Sequence, residues 1–344
     1  MAASLPFEFR RVRDFGQLLS GLVEFLRGHW KNLGKSLIFI AGPLLLILGV
    51  AGGGLVNEIF SMMGTVYAQQ SMGNPPDPNQ FLLIGVELLI LMVVYFLAGA
   101  SVLAVTNEYI LMSMGDEMEN FSVSLLWGNV SSRFWSHLAN FIVINSYALV
   151  IILPIFFFGM VVGMGGLGAE EMIVVLYLML FFGGLPVIVY FGTVISLYPA
   201  IRLQENRGIF AAIKRSFYLI KGNFWISLGF YIVTGIVQSV IGSVFVIPFY
   251  VFYFIAIITI MPESGMSPDG VPNFGIAFQI GITVSGVIAV GSGLLLNAVS
   301  VTAHTLQYFN LVERKEGVGM MAKLDLLGVQ QNGQGGQDDH TEEY

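Results

Sequence analysis

The stretch FWISLGFYIVTGIVQSVIGSVFVI, residues 224–247, decides the fold class of this chain. It holds no Asp, Glu, Lys or Arg. An α-helix rises about 1.5 Å per residue, so a run of this length crosses the roughly 30 Å hydrocarbon core of a bilayer. The stretch therefore predicts a transmembrane helix.

Five more apolar runs of similar length occur in this chain of 344 residues. Hydrophobic residues make up 56% of the chain and charged residues only 11%, against about 25% charged residues in soluble domains. Such an excess of apolar surface requires lipid as its solvent, so we predict an all-α fold, a polytopic membrane helical bundle with about six transmembrane helices. Because the fifth run stays apolar to Ile260, we expect Pro248 to bend or break it. The predicted spans are 36–55, 81–105, 139–164, 172–197, 224–247 and 275–303.

The basic residues lie on one side of this predicted topology. None of the 15 Lys and Arg residues falls in the gaps 56–80, 165–171 and 261–274, which follow the odd-numbered spans. Cytoplasmic loops are enriched in Lys and Arg, so the sequence predicts an even number of crossings with both termini in the cytoplasm. The N-terminal segment lacks the short apolar core of a cleavable signal, and we expect an uncleaved protein of the bacterial cytoplasmic (inner) membrane.

Three segments share one pattern, in which an amphipathic stretch leads to a Trp and then to a long apolar span. The pattern predicts three parallel repeats, each an interfacial helix followed by a two-span hairpin, at about 12–110, 118–203 and 207–312. We expect a single integral membrane domain over 1–329 and a disordered cytoplasmic tail at 330–344, which is rich in Gln, Gly and Asp. The leading Phe and the Trp of each unit are Phe15 and Trp30, Phe121 and Trp135, and Phe210 and Trp225.

The third unit carries a resemblance to a known group of proteins. Its cytoplasmic part reads YPAIRL at 198–203, FAAIKRSF at 210–217 and LIKGNFW at 219–225. This run resembles bacterial multi-pass proteins that include the membrane domain attached to some glycerophosphodiester phosphodiesterases, together with uncharacterised relatives that lack an enzyme domain. In the fused proteins the chemistry belongs to a separate soluble barrel, so the resemblance implies the membrane architecture alone and no catalytic residue here.

Polar side chains inside the predicted spans, or at their ends, are the candidate functional residues, because burying them in lipid is costly. Glu87 lies six residues into the second span, where it could bind a proton or cation or simply reach the nearby interface. Asn107, Glu108 and His304 sit at cytoplasmic ends of spans, where Glu108 and His304 occupy near-equivalent positions in the repeats, either around a cavity mouth or as ordinary interfacial residues. The remaining candidates are deeper amides, which either hydrogen-bond between helices or bind a substrate: Asn145, Gln238 and Asn297.

Two further groups of residues have predicted roles at surfaces. Lys214, Arg215 and Lys221 flank the third amphipathic stretch, where they would contact anionic lipid headgroups or only fix the orientation of the chain. Gly49 and Gly53 have the four-residue spacing that lets two helices approach closely, and we interpret them as packing residues.

The sequence predicts no enzyme, no cofactor and no metal site. HExxH, P-loop and G-x-S-x-G patterns do not occur, the four His residues lack metal-ligand spacing, and the chain has no Cys. We expect either a membrane scaffold or accessory subunit of the bacterial envelope, or a transporter or lipid-moving protein that uses polar residues such as Glu87. The expected partners are the lipid bilayer and another membrane protein, whereas a net charge of −7 argues against nucleic acid.

Overall fold

The computed structural model describes residues 7–71, 78–115, 118, 121–164, 169–260, 275–319 and 321, and the predicted tail 330–344 lies outside them. The described part of the chain is helical throughout, without a strand. Two π-helical segments, Leu37–Ala41 and Met179–Gly184, join α1 to α2 and α5 to α6. The α-helices are α1 Phe15–Ser36, α2 Gly42–Ser71, α3 Pro78–Met114, α4 Val123–Met164, α5 Ala169–Leu178, α6 Leu185–Ile195, α7 Tyr198–Glu205, α8 Ile209–Ile220, α9 Phe224–Ile260 and α10 Ile276–Glu316.

The long helices exceed what a bilayer core requires. Helices α3, α4, α9 and α10 have 37, 42, 37 and 41 residues, or roughly 55–63 Å at about 1.5 Å per residue. Within the described residues, five helical stretches are long and apolar enough to cross a membrane, and the predicted span 139–164 lies within α4. The protein is therefore a multi-pass membrane protein. The five stretches are Phe15–Phe60, Phe81–Met114, Ile173–Glu205, Phe224–Ile258 and Ile276–Glu316.

The outer surface of the bundle is apolar. On α9, Val240 is 65% exposed and Phe254 is 58% exposed, although water would strongly disfavour such a surface. Trp30, Trp135 and Trp225, which precede the predicted odd-numbered spans, are also exposed on the outside of the bundle. Lipid contact along the helices, with Trp near the headgroups, accounts for both observations.

The amphipathic stretches join their spans in two different ways. In the third unit, Gly222 adopts φ +85° and separates the short helix α8 from α9. In the first unit, α1 continues into α2 through the π-helical segment, and in the second unit α4 carries both the stretch and the span. Only in the third unit is the amphipathic stretch a helix separate from its span, and its position in the membrane interface stays a prediction. Pro248 does not break the helix, because α9 continues through it to Ile260, and the alternative expectation of a bend stays a prediction.

Helices α2 and α10 pack with their backbones in close contact. A Cβ atom on Gly49 would lie 2.5 Å from the Cα of Val287, and one on Gly53 would lie 2.7 Å from the Cα of Thr283. Only glycine fits at these two positions, so the predicted packing role of the pair is an interaction within this chain.

The main core lies at the end of the bundle that carries the basic residues. Large side chains such as Phe25, Tyr109 and Phe230 are buried there. A chain of buried polar groups ties the N-terminal segment to this core. Asn310 accepts a hydrogen bond from the backbone N–H of Arg13 at 2.8 Å and donates to Gln307 at 3.2 Å, and Gln307 donates to Ser227 at 2.7 Å. This connection fixes α1, α9 and α10 relative to one another.

Candidate functional site

A cavity of about 420 Å³ lies between α3, α4, α6, α9 and α10, with the start of α7 at one end. Along α3 its lining runs from Tyr95 to Asn107, about 18 Å by helical rise. Most of the wall is apolar, with residues such as Leu103, Ile144 and Val301. Pockets of this volume and character commonly hold small apolar or amphipathic molecules. The structure brings four sequence-predicted site residues to this wall: Asn107, Asn145, Asn297 and His304.

The polar groups of the cavity differ in how well the protein satisfies them. Asn145 donates a hydrogen bond to the backbone oxygen of Phe141 at 2.8 Å, so it has a partner within its own helix. The amide nitrogen of Asn107 is buried and has no hydrogen-bond partner in the protein. The ring of His304 packs edge-on against Tyr231, with 4.5 Å between centroids. A buried donor without a partner is uncommon, so the wall at Asn107 is suited to a ligand that accepts a hydrogen bond.

Two glycines allow aromatic rings to form part of the cavity wall. A Cβ atom on Gly99 would lie 2.1 Å from Phe141, and one on Gly192 would lie 2.8 Å from the hydroxyl of Tyr147. Both rings reach across from α4, one to α3 and the other to α6. Larger residues at either glycine would displace a ring and change the shape of the cavity.

Glu108, although adjacent to Asn107, faces a second and more polar pocket. Its carboxylate is 2% exposed and pairs with His137 Nε2 at 2.9 Å and with Arg133 at 3.4 Å. A 100° rotation per helical residue turns Glu108 away from the cavity and toward α4. The second pocket, about 310 Å³, is lined by Arg133, Ser136, His137, Asn140, Arg202, Leu203 and Asn206.

Sequence reasoning did not identify the polar residues of this second pocket. The signal that was available is the spacing of Arg133, His137 and Asn140, which places them on one face of a helix just before a predicted span. Their partner Glu108 lies on another helix, and nothing local in the sequence indicates that pairing.

Glu87 and Gln238 lie away from the cavity. Glu87 is exposed on the outer surface of α3, where its carboxyl lies beside that of Glu58 on α2. Gln238 accepts a hydrogen bond from the hydroxyl of Ser300 at 2.6 Å and so joins α9 to α10. The structure therefore does not place the predicted polar residues in one site, and a role of Glu87 in binding a proton or cation stays a prediction.

The three basic residues of the third unit have different surroundings. Lys214 and Lys221 are exposed, and their contact with lipid headgroups stays a prediction. Arg215 instead donates two hydrogen bonds to Glu316, at 2.5 and 2.8 Å, and a third to Glu205 at 3.0 Å. The hydrogen bonds that Arg215 donates to Glu316, together with the one to Glu205, raise the pKa of Arg215 against the opposing effect of partial burial. Its charge is thus already balanced inside the protein, which disfavours a headgroup contact.

Within the described residues, no group of three or more His, Asp or Glu side chains could hold a metal ion. What the site offers is an apolar cavity with a few hydrogen-bonding groups, next to a pocket rich in basic side chains. Comparison with known proteins found no matching family model, no similar curated protein and no similar solved structure.

Proposed function

We propose that the protein binds an amphipathic, lipid-like molecule in the cavity between its spans and acts in lipid handling within the membrane. The observation that carries this proposal is the cavity itself, about 420 Å³ of mainly apolar lining with hydrogen-bonding groups at separate points. Membrane helices gain stability mainly by close packing, so a bundle that serves only as a scaffold has no need for such a space. An apolar molecule bound in the cavity would supply the van der Waals contacts that the wall residues do not make with one another across this space.

The topology belongs to the same proposal. We infer six spans arranged as three repeats, with both termini in the cytoplasm of a bacterial cell and the cavity between spans of all three repeats. The clustering of basic residues supports this arrangement, because Arg133 precedes the third predicted span, Arg202 and Arg215 lie between the fourth and fifth, and all contact partners at one end of the bundle. The resemblance to the membrane domains of certain phosphodiesterases agrees with a role next to lipid chemistry, without an active site in this chain.

Cavity-filling variants test the binding proposal. Asn297→Phe and Val189→Phe place a ring in the cavity from α10 and from α6, whereas Val284→Phe places one on the exposed surface of α10 as a matched control. The assay is the affinity of the purified protein in mild detergent for a fluorescent lipid, with native mass spectrometry to count bound lipids. We expect both filling variants to lose affinity about tenfold or more and the control to keep it. Equal binding by all four proteins would refute the proposal and favour the scaffold role.

A further inference from the structure

The basic pocket next to the cavity is positioned to receive the polar end of the same ligand. His137 and Asn140 line this pocket, whereas Phe141 and Ile144, one turn further along α4, line the cavity. One helical turn is about 5.4 Å, so the two spaces are neighbours along α4. An amphipathic molecule with its apolar part in the cavity would thus carry its head toward the basic pocket.

The charge of the pocket favours an anion. Arg133 and Arg202 both line it, and among the described residues the acidic group paired with its wall is Glu108, which lies buried behind His137. The side chain of Arg133 is 57% exposed and reaches Glu108 only at 3.4 Å, so its guanidinium is free to turn toward a ligand. Arg202 donates to the hydroxyl of Tyr198 at 3.3 Å, which leaves its other N–H groups for a second contact.

Two buried polar atoms at this pocket lack a partner in the protein. They are Nδ1 of His137 and Oδ1 of Asn140, in side chains that are 1% and 2% exposed. Because Nε2 of His137 lies against the Glu108 carboxylate, Nδ1 is the ring nitrogen that is left to contact a ligand. The side-chain oxygen of Asn140 would accept a hydrogen bond from a hydroxyl of the ligand. If the amide is flipped by 180°, its NH₂ group would instead donate a hydrogen bond to the ligand. Buried polar groups are usually satisfied, so their state points to a ligand.

We propose that this basic pocket, formed by Arg133, His137, Asn140 and Arg202, binds the phosphate of a lipid headgroup whose apolar part occupies the cavity. The inference rests on the proposed function and names its substrate class, an anionic phospholipid with a small head. Two arginines suit this role because a guanidinium forms two parallel hydrogen bonds to phosphate oxygens. A free phosphate ester has the same head chemistry, and the experiment below separates the two sources.

The test compares two lipids that share their chains and differ in the head. Fluorescent phosphatidic acid and fluorescent diacylglycerol are titrated into the purified full-length protein, its Arg133→Gln/Arg202→Gln variant and a matched control. The control, Arg27→Gln/Lys35→Gln, removes two exposed charges that lie outside both pockets. We expect the pocket variant to bind phosphatidic acid about tenfold more weakly, to bind diacylglycerol as the parent does, and the control to match the parent for both lipids.

The outcomes separate the two proposals. If the parent binds neither lipid, the proposed function is wrong and this inference falls with it. If the parent binds both lipids with equal affinity and the pocket variant changes neither, the cavity is a lipid site but the headgroup inference is wrong. If inorganic phosphate binds the parent but displaces neither lipid, the pocket binds a free anion, and a lipid is refuted as the source of the phosphate. If the double variant misfolds, the single variant Arg133→Gln decides the matter. The Arg133 side chain is exposed, so its replacement should leave the fold intact and still weaken the binding of phosphatidic acid.

Discussion

Replacing Gly53 by Ala should destabilise the protein, although Ala is the better helix former. The new Cβ would lie 2.7 Å from the Cα of Thr283, and ordinary contact begins at 3.4 Å, so α2 and α10 must separate by about 0.7 Å. Overpacking of this kind costs about 1–3 kcal/mol. The same separation stretches the 3.2 Å hydrogen bond from Asn57 to the hydroxyl of Thr283, which is worth up to about 1 kcal/mol. We therefore expect a loss of about 2–3 kcal/mol in the free energy of unfolding.

The neighbouring glycine provides the control. A Cβ on Gly54 meets nothing within 4 Å, so Gly54→Ala should gain up to about 1 kcal/mol from helix propensity alone. Thermal unfolding of both variants in the same detergent, followed by tryptophan fluorescence, measures the difference. If Gly53→Ala unfolds at the same temperature as Gly54→Ala or above it, the close contact between α2 and α10 does not exist in the protein and the reasoning is refuted.

Three further predictions concern the charged end of the bundle and its outer surface. Arg215→Gln leaves the carboxylates of Glu205 and Glu316 without their shared cation, so the free energy of unfolding in detergent should fall by about 2 kcal/mol; no change would mean that solvent already screens the cluster. Arg215 also lowers the pKa of Glu316, which lies about 20 Å beyond the predicted end of the last span at Ala303. The stabilisation by this ion pair is therefore complete above the ordinary pKa of 4.5 and is lost as the pH falls through the lower pKa of the folded protein. Acidification should thus destabilise the parent more than the Arg215→Gln variant. An equal fall of the unfolding temperature in both proteins would contradict this prediction. Trp225, as the sole Trp of a variant and 79% exposed, should be quenched more by lipids brominated near the headgroup than by lipids brominated at the chain ends, and the reverse order would contradict its interfacial position.

The helical membrane fold could be predicted because it depends on one property that can be read directly from the sequence, the length of its uncharged apolar runs. A run such as 224–247 has no charge over the thickness of a bilayer, and a helix satisfies all the backbone hydrogen bonds of such a run within the segment itself. That α9 continues through Pro248 could not be predicted from the same rule. Whether a Pro ends a helix depends on which neighbours support the freed backbone groups, and those neighbours are set by tertiary packing.

The candidate site was predictable only in part, for reasons of helix geometry. Asn107 and His304 were identified as polar residues near span ends, and both line the cavity. Glu108, one residue further, faces the basic pocket, because the side on which a residue points depends on how the helix is rotated in the bundle. The hydropathy pattern of the sequence does not indicate how each helix is rotated about its axis in the bundle.

Helix α10 shows how the bundle can be closed at one depth and hollow at another. Thr283 and Val287, in its first half, touch the glycines of α2, whereas Asn297 and Val301, in its second half, line the cavity. At 100° per residue all four lie within about 80° of one another around the helix, so a single stripe of α10 serves both purposes. Glycines on α2 let the two helices meet beside the first half of this stripe, and the cavity lies beside the second half. A ligand in the cavity would therefore approach from the basic end of the bundle, where the second pocket lies, and this arrangement favours binding from one leaflet over passage through the whole membrane.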